Sequence, residues 1–468
     1  MSSQPAMQAA DAVKPFSELV SALKNSFSTG KTRPLDWRRA QLLALKRLVE
    51  DNQQEIQGAL QADLGKSESE AWSTEIGYIL ADIKHTLKHL SGWMKPRKVS
   101  TPLVAQPATS FRLPEPLGTV LIIGAWNYPF QLVIAPFIAA LAAGNCAVLK
   151  PSELSPHTSA LIARLIHRYM DTSAVAVVEG GKEQTTDLLS LAWDHIFYTG
   201  GEQVGRIVMR SAAEHLTPVT LELGGKSPCI VDGNADIRAT ARRIVWGKWL
   251  NAGQTCIAPD YVLVTRQYAD SLIEALRAEL KAQYGEQPLS NSDYGSIVNP
   301  RHLQRLVGYL SDLDSVIGGE VDEAARKLAP TLVVDPPLDS ALMQEEIFGP
   351  ILPLITVDTL EQAVEFVNLR AKPLAMYLFT NNKAFEQKVL AQTSAGSVCI
   401  NDTLMFMTNP SLPFGGVGCS GMGQYHGESG FATFSHFKSV MKRSFWLDVP
   451  IRYAPFSKLK LKLLKKLI

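Results

Sequence analysis

The sequence predicts an α/β fold in two lobes, with an extended arm between a helical lead-in and the first lobe. Three observations carry this. Short β-branched runs alternate with helical runs from Gly118 to Glu222 and again from Asp232 to about Thr393, the rhythm of βαβ units in parallel sheets covered on both faces. At 468 residues the chain exceeds the length at which a single hydrophobic core stops growing. The stretch from Lys95 to Pro116 is rich in proline and β-branched residues (Val99, Thr101, Val104, Thr109), which reads as an excursion rather than a core element.

From Pro15 to about Trp93 the chain reads as helical, with apolar stripes at Leu42, Leu43, Leu45, Leu48 and Val49 and then Ile56, Leu60 and Leu64. The arm follows, and its edges suit pairing with another subunit or a surface loop equally. The first lobe then runs through strands at Thr119 to Gly124, Cys146 to Lys150, Ala174 to Glu179, His195 to Tyr198 and Val219 to Glu222, with helices at Gln131 to Ala143, near Thr158 to Tyr169, and Glu202 to Ala213. Ligands of such sheets bind at the carboxyl ends of the strands. There the chain places Ala125 to Phe130, Lys150 to Glu153, Gly180-Gly181 and Thr199 to Gly205. Gly200-Gly201 opening a helix that contains Gly205 either turns backbone N–H groups toward a phosphate or simply starts the helix. It is neither GxGxxG nor a Walker A loop. Lys150, closing a buried strand, is either solvated or a contact to a hydroxyl or phosphate.

The second lobe has strands at Tyr261 to Thr265, Pro330 to Val334 and Leu374 to Phe379, and a helix at Tyr268 to Tyr284. Inside it, Gln344 to Pro350 is a charged and aromatic loop. Asn401 to Thr408 and Pro413 to Gly421 are rich in glycine, aromatics and methionine, suited to an apolar passage and more often simply to core filling. At the end, a helix from Ser457 to Ile468 would set Lys458, Lys462, Lys465 and Lys466 against most of its leucines. Such a helix suits an anionic membrane surface, or docking on its own protein or a partner subunit.

Hydrophobic residues make up 46% and charged residues 19% of the chain, as in ordinary globular domains. With 46 basic and 45 acidic side chains no global field favours nucleic acid. Five cysteines without CxxC or Cys/His spacing fit a reducing, cytoplasmic setting better than a disulfide framework, and give no metal site. Met1 to Ala12 lacks the basic and apolar regions of a signal peptide, and no run reaches the roughly 20 apolar residues of a membrane span.

Two stretches carry chemistry. Asn251-Ala-Gly-Gln-Thr-Cys256 sets a thiol after a turn that ends an apolar helical run, and Val219-Thr-Leu-Glu222-Leu-Gly-Gly sets a carboxylate on a strand. Most intracellular thiols are packed rather than reactive. Gly253 and Gln254, however, are poor choices for a packed helix interior, and backbone N–H groups at such a turn lower a thiol pKa and bind an oxyanion. Glu222 shares a strand face with Thr220 and Gly224, opposite Val219, Leu221 and Leu223, a pattern that a surface carboxylate would also satisfy. The two glycines after it admit close approach of a ligand or another chain segment.

Taken together the motifs resemble the aldehyde dehydrogenase superfamily, most of all its class 3 branch of dimeric aromatic and fatty aldehyde dehydrogenases, over about Phe16 to Arg452. Leu221 to Lys226 and Gly253 to Cys256 are the most specific. Trp126 to Pro129, Leu149 to Ser152, Phe197 to Gly201, Glu346 to Pro350, Pro413 to Gly418 and the tail Val449 to Tyr453 support them. The resemblance implies a Rossmann-like cofactor domain (1–94 and 117–223), a second α/β catalytic domain (224–394), a β oligomerisation arm with substrate-entrance loops (95–116 and 395–445) and a basic tail (446–468). It implies Cys256 as nucleophile, Asn127 with the Cys256 N–H as oxyanion donors, and Glu222 as the base that activates water. For cofactor binding it implies Lys150 and Glu153 near the adenosine ribose, Gly200, Gly201, Val204 and Gly205 at the pyrophosphate, Glu346 and Phe348 at the nicotinamide ribose, and Trp126 and Leu223 beside them. The cofactor is NAD or NADP; Glu153 suits a 2′-hydroxyl and repels a 2′-phosphate, yet class 3 relatives often accept both. The substrate class is a medium or long-chain aliphatic or an aromatic aldehyde, and the assembly a homodimer. Phe406 replaces a histidine common in class 3 and would make the passage more apolar. The rival readings are a CoA-acylating aldehyde dehydrogenase, which typically lacks the base, a thiol hydrolase using Cys256 and a histidine, and a non-catalytic nucleotide-binding protein of the same fold.

Overall fold

A computed structural model describes residues 16–311, 313–448 and 450–467. The stretch Met1 to Ala12, read as no signal peptide, lies outside them. Among the described residues eighteen strands follow the helical lead-in. In chain order the first seven are β1 (Arg97–Val99), β2 (Ala108–Pro116), β3 (Thr119–Ile123), β4 (Cys146–Lys150), β5 (Val175–Val177), β6 (His195–Thr199) and β7 (Val219–Glu222). Then come β8 (Pro228–Val231), β9 (Tyr261–Thr265), β10 (Val316–Ile317), the hairpin β11 (Val321–Asp322) and β12 (Lys327–Leu328), β13 (Thr331–Val334) and β14 (Ile351–Val357). The last are β15 (Ala375–Phe379), β16 (Ser397–Ile400), β17 (Gly421–Met422) and β18 (Ser435–Arg443).

They form two α/β sheets and one antiparallel arm. The six-stranded sheet runs β17-β7-β6-β3-β4-β5, parallel except for β17, and the seven-stranded sheet runs β10-β13-β14-β9-β8-β15-β16, parallel except for β10. Every residue of β3, β4 and β6 is buried, which is why these strands read as unbroken apolar runs. Helix Gln131–Ala143 is buried on nearly every side and is accordingly apolar all round. Register pairs Ile123 with Lys150 and Thr199 with Glu222, so the strand tips of the first sheet come out in one row.

The arm is β1-β2-β18, with β2 and β18 paired over nine residues from Ser435↔Pro116 to Arg443↔Ala108. β16 was expected to accompany the arm. It instead pairs in parallel with β15 and closes the seven-stranded sheet, because Ser397 to Ile400 continue the β-α-β rhythm of that lobe. The lead-in is helical as its stripes require, with one π-helical turn at Trp72–Ile76 that no sequence period announced.

Candidate active site

The site begins where helix Ile237–Trp249 ends. A tight turn at Leu250–Gly253 follows, with Asn251, Ala252 and Gly253 all at positive φ (55°, 50° and 74°). Gly253 is required there, because a Cβ would stand 2.2 Å from the Gly349 carbonyl oxygen. The Gln254 amide is satisfied on both sides: Nε2 donates to the Asn251 and Ser296 carbonyls (3.1 and 3.0 Å), and Oε1 accepts the Val298 N–H (2.9 Å). A buried glutamine therefore pins the turn. It delivers Cys256 to the wall of a cavity of about 210 Å³.

The loop after β3 is stitched to this turn. Asn127 Nδ2 donates to the Gln254 carbonyl (3.0 Å), Asn251 Nδ2 donates to the Asn127 carbonyl (2.8 Å), and the Tyr128 and Thr255 hydroxyls share a hydrogen bond of 2.7 Å. One hydrogen of the Asn127 amide is thus engaged. The second is left for another acceptor.

The backbone N–H groups of Cys256 and Ile257 favour the thiolate. Burial, with the Glu346 and Glu222 carboxyls, outweighs those donors and pushes the thiol pKa up. Glu222 ends β7 at the same cavity, and neither of its carboxyl oxygens has a hydrogen-bond partner among the described residues. Burial holds its pKa well above the ordinary carboxyl range. Glu346 is pushed up to about 8 by burial, against the Gly225 N–H and the charges of Lys226 and Arg305. Gly224 makes room for it, since a Cβ there would meet Glu346 Oε2 at 2.2 Å.

Of the residues singled out from sequence, Trp126, Asn127, Gly200, Gly201, Glu222, Leu223, Cys256, Glu346 and Phe348 line this one cavity. Trp126 stands edge-on to Phe348, with ring centroids 5.3 Å apart. Gly201 precedes helix Glu202–Ala213, whose first turn has no side-chain cap, so its N–H groups fit an anionic group such as a pyrophosphate. Lys150, Glu153, Val204 and Gly205 do not join the wall. Lys150 donates to the Pro151 carbonyl (2.7 Å), with Glu153 3.9 Å away. Val204 is exposed on the helix. Gly205 is a packing glycine, because a Cβ there would meet Leu223 Cδ2 at 2.8 Å.

Thr199, read from the sequence as a strand tip, joins the wall, whereas sequence reasoning missed His302 and Arg305 there. Arg305 fastens the Glu346 loop by donating to the Glu346 and Ile347 carbonyls (3.3 and 2.8 Å). No motif surrounds it in the sequence. Phe406 is absent from this wall and fills the core, its ring stacked with Tyr377 and Phe414 (6.5 and 6.3 Å between centroids). A larger polar cleft of about 510 Å³ shares Gly224 and Glu346 with the cavity and adds Glu202, Lys226, Lys372 and Cys419.

The comparisons with known proteins agree with this geometry. The model of the aldehyde dehydrogenase family matches residues 4–440. The chain is 48% identical to aldehyde dehydrogenase family 3 member H1 of Arabidopsis thaliana, over 97% of this chain and 94% of that one. It is also 48% identical to the dimeric NADP-preferring aldehyde dehydrogenase of Rattus norvegicus, over 92% and 95%. Among solved structures, substrate-bound Staphylococcus aureus AldH superposes with a TM-score of 0.93 at 46% identity, covering 95% of this chain and 98% of that one. The indole-3-acetaldehyde dehydrogenase AldA of P. syringae, in complex with NAD+, gives 0.83 at 25% identity, over 91% and 88%. A thiol on a glutamine-pinned turn, a carboxyl with both oxygens free, and full-length likeness in sequence and fold lead to one conclusion: the chain belongs to the aldehyde dehydrogenase family.

Proposed function

We propose that the chain oxidises a medium or long-chain aliphatic or an aromatic aldehyde to the carboxylic acid, with NAD or NADP as hydride acceptor. The observation that carries this is the sharing of one cavity of about 210 Å³ by the Cys256 sulfur and an unpartnered Glu222 carboxyl. Cys256 loses its proton and attacks the aldehyde carbon, and the oxyanion takes the free hydrogen of the Asn127 amide and the Cys256 N–H. A nicotinamide held there would supply the hydride acceptor, and loss of the hydride from the tetrahedral adduct would leave a thioester on Cys256. Glu222 takes a proton from water, the water oxygen attacks the thioester carbon, and the acid departs as Cys256 is regenerated. Aldehyde, oxidised cofactor and water become acid, reduced cofactor and a proton.

Trp126, Leu223, Glu346 and Phe348 would hold the nicotinamide end, Gly200, Gly201, Val204 and Gly205 the pyrophosphate, and Lys150 and Glu153 the adenosine ribose. This reading assigns 1–94 and 117–223 to the cofactor, 224–394 to catalysis, 95–116 and 395–445 to the arm and entrance, less β16, and 446–468 to a basic tail. The test is a panel of aliphatic and aromatic aldehydes run with NAD and with NADP. Absence of aldehyde-dependent cofactor reduction across the panel overturns the reaction. Acyl transfer to CoA, the second reading, predicts turnover that needs CoA, and Glu222 speaks against it.

A homodimer joined through the arm is part of the proposal, supported by the relatives named dimeric and by the exposed residues of β1. Light scattering tests it. The five described cysteines are all unpaired, which supports a cytoplasmic setting. No helix among the described residues is long and apolar enough to cross a membrane. The tail helix Lys458–Leu467 nevertheless leaves Leu459, Leu461 and Leu463 exposed, beside exposed Phe445 and Trp446. Lys460, on that leucine side, is tied back to the Tyr453 and Pro455 carbonyls (2.9 Å each). We read this face as a peripheral contact for an anionic bilayer. Co-sedimentation with phosphatidylserine vesicles that persists after deletion of 445–468 would remove the tail from that role.

A further inference from the structure

The two loops that carry Asn127 and Cys256 are held from behind by a corner of the lead-in. Lys66 and Glu75 form an ion pair of 2.5 Å whose side chains are both fully buried. Glu75 Oε1 takes the Lys66 charge, while Oε2 accepts the N–H groups of Phe130 and Gln131 (2.9 and 3.0 Å). Those donors lie three and four residues after Asn127, at the entry of helix Gln131–Ala143. The Lys66 ammonium also stands 3.9 Å from the centre of the Tyr128 ring, and the Tyr128 hydroxyl reaches Thr255, next to Cys256.

A second line runs from the same corner to the other loop. The Leu64 carbonyl accepts the Ser296 N–H (2.8 Å), and the Ser296 carbonyl accepts the Gln254 amide (3.0 Å). Gly65 permits this approach: its φ is 65°, and a Cβ there would stand 2.8 Å from Ser296 Oγ. Glu75 points inward because it sits in the π-helical turn Trp72–Ile76, a local widening that recurs at functional sites. A buried ion pair is a weak source of stability, since desolvation offsets its attraction. Here it holds the two loops to one scaffold.

We propose that Lys66 and Glu75, acting through Tyr128 and Thr255, are positioning residues that set the Asn127 amide against the Cys256 N–H. The inference rests on the reaction proposed above. An oxyanion gains from two donors only if both point at the atom on which charge develops, and a misplacement of about 1 Å is worth up to roughly 100-fold in rate. The clamp fixes that relation before substrate arrives.

The hydroxyl link is the place to test it, because Glu75→Gln strands a buried Lys66 charge and destabilises the fold, whereas Tyr128→Phe and Thr255→Val leave the ion pair intact. Steady-state kinetics normalised to the burst of reduced cofactor should show kcat down about 10- to 100-fold in Tyr128→Phe and Thr255→Val, with KM for aldehyde within about 3-fold. Thr255→Ser, which keeps the hydroxyl, should stay within about 3-fold of wild type in kcat. A normalised kcat within about 2-fold of wild type in both hydroxyl-deleted variants overturns the clamp, and so does a loss that Thr255→Ser fails to restore. If the wild-type protein reduces no cofactor with any aldehyde, the reaction itself is overturned. The clamp is then judged by alkylation of Cys256 with iodoacetamide, read by mass spectrometry, where an unchanged rate in Tyr128→Phe overturns it and a changed rate sustains it.

Discussion

Cys229 and Cys256 are both thiols pushed up in pKa by burial, yet they sit in regions of opposite character. Cys229 lies inside β8, fully buried, and burial is the whole cause of its shift. Cys256 sits on a turn, partly exposed to a cavity, and its shift is opposed by two backbone N–H groups. Burial alone therefore does not separate a packing thiol from a nucleophile. The separation lies in the exposure of the sulfur to a cavity and in a carboxyl lining the same space whose oxygens have no hydrogen-bond partner among the described residues.

Removing each thiol is the strongest way to break this contrast. Cys256→Ala is expected to lower aldehyde oxidation by about 10⁴-fold or more while cofactor still quenches protein fluorescence on binding. Cys229→Ala is expected to leave kcat within about 2-fold and to lower stability by roughly 1–2 kcal/mol, as small deletions in a packed strand do. Retained oxidation in the first variant, or lost oxidation in a folded form of the second, would erase the distinction.

Glu222→Gln sharpens it further by separating the two halves of the reaction. In the proposed reaction, attack on the aldehyde and hydride departure need Cys256 and its donors, whereas hydrolysis of the thioester needs the base. The expected record in stopped flow is a burst of reduced cofactor close to one per site, followed by a steady state about 10²- to 10⁴-fold slower than wild type. A steady state equal to wild type would take Glu222 out of deacylation.

Much of this region was legible in the sequence because its geometry admits few residues. Gly253 faces the Gly349 carbonyl, Gln254 fills three hydrogen-bonding positions, and Gly224 clears Glu346, so the motif letters record contacts. The strand tips at Lys150 and Gly200 were legible from the βαβ rhythm, but whether a tip side chain turns into the cavity is a matter of rotamer and packing. That is why Lys150 and Glu153 stand outside the wall. The Lys66, Glu75 and Tyr128 cluster was hidden for a different reason. Its members are separated by 9 and 53 positions, and the π-helical turn that swings Glu75 inward breaks the 3.6-residue period by which a glutamate is assigned to the solvent side. Phe406 could be read either way, because a glycine-rich, aromatic stretch has the same composition whether it lines a passage or fills a core.

The smallest expected effect concerns stability, and it follows from the sign of the Glu222 shift. The folded carboxyl holds its proton well above the unfolded value, through burial. Between those two values the native state binds one proton more than the unfolded state, so this group makes stability fall as pH rises. The base is thus present at a cost to the fold that grows through the pH range where catalysis needs it ionised. Glu222→Gln removes the titration and keeps the shape. Its melting temperature should exceed that of wild type at pH 8, with the difference shrinking as pH approaches 4.5, where the folded carboxyl is protonated and the unfolded one about half protonated. Cys229→Ala should show no such pH-dependent gap up to pH 8, because burial keeps that thiol protonated in the native state and the unfolded thiol is still largely protonated there. Parallel melting curves for Glu222→Gln and wild type across pH 4.5 to 8 would mean that the carboxyl is not held in the protonated form by the fold, and the contrast between a buried base and a merely buried group would lose its electrostatic half.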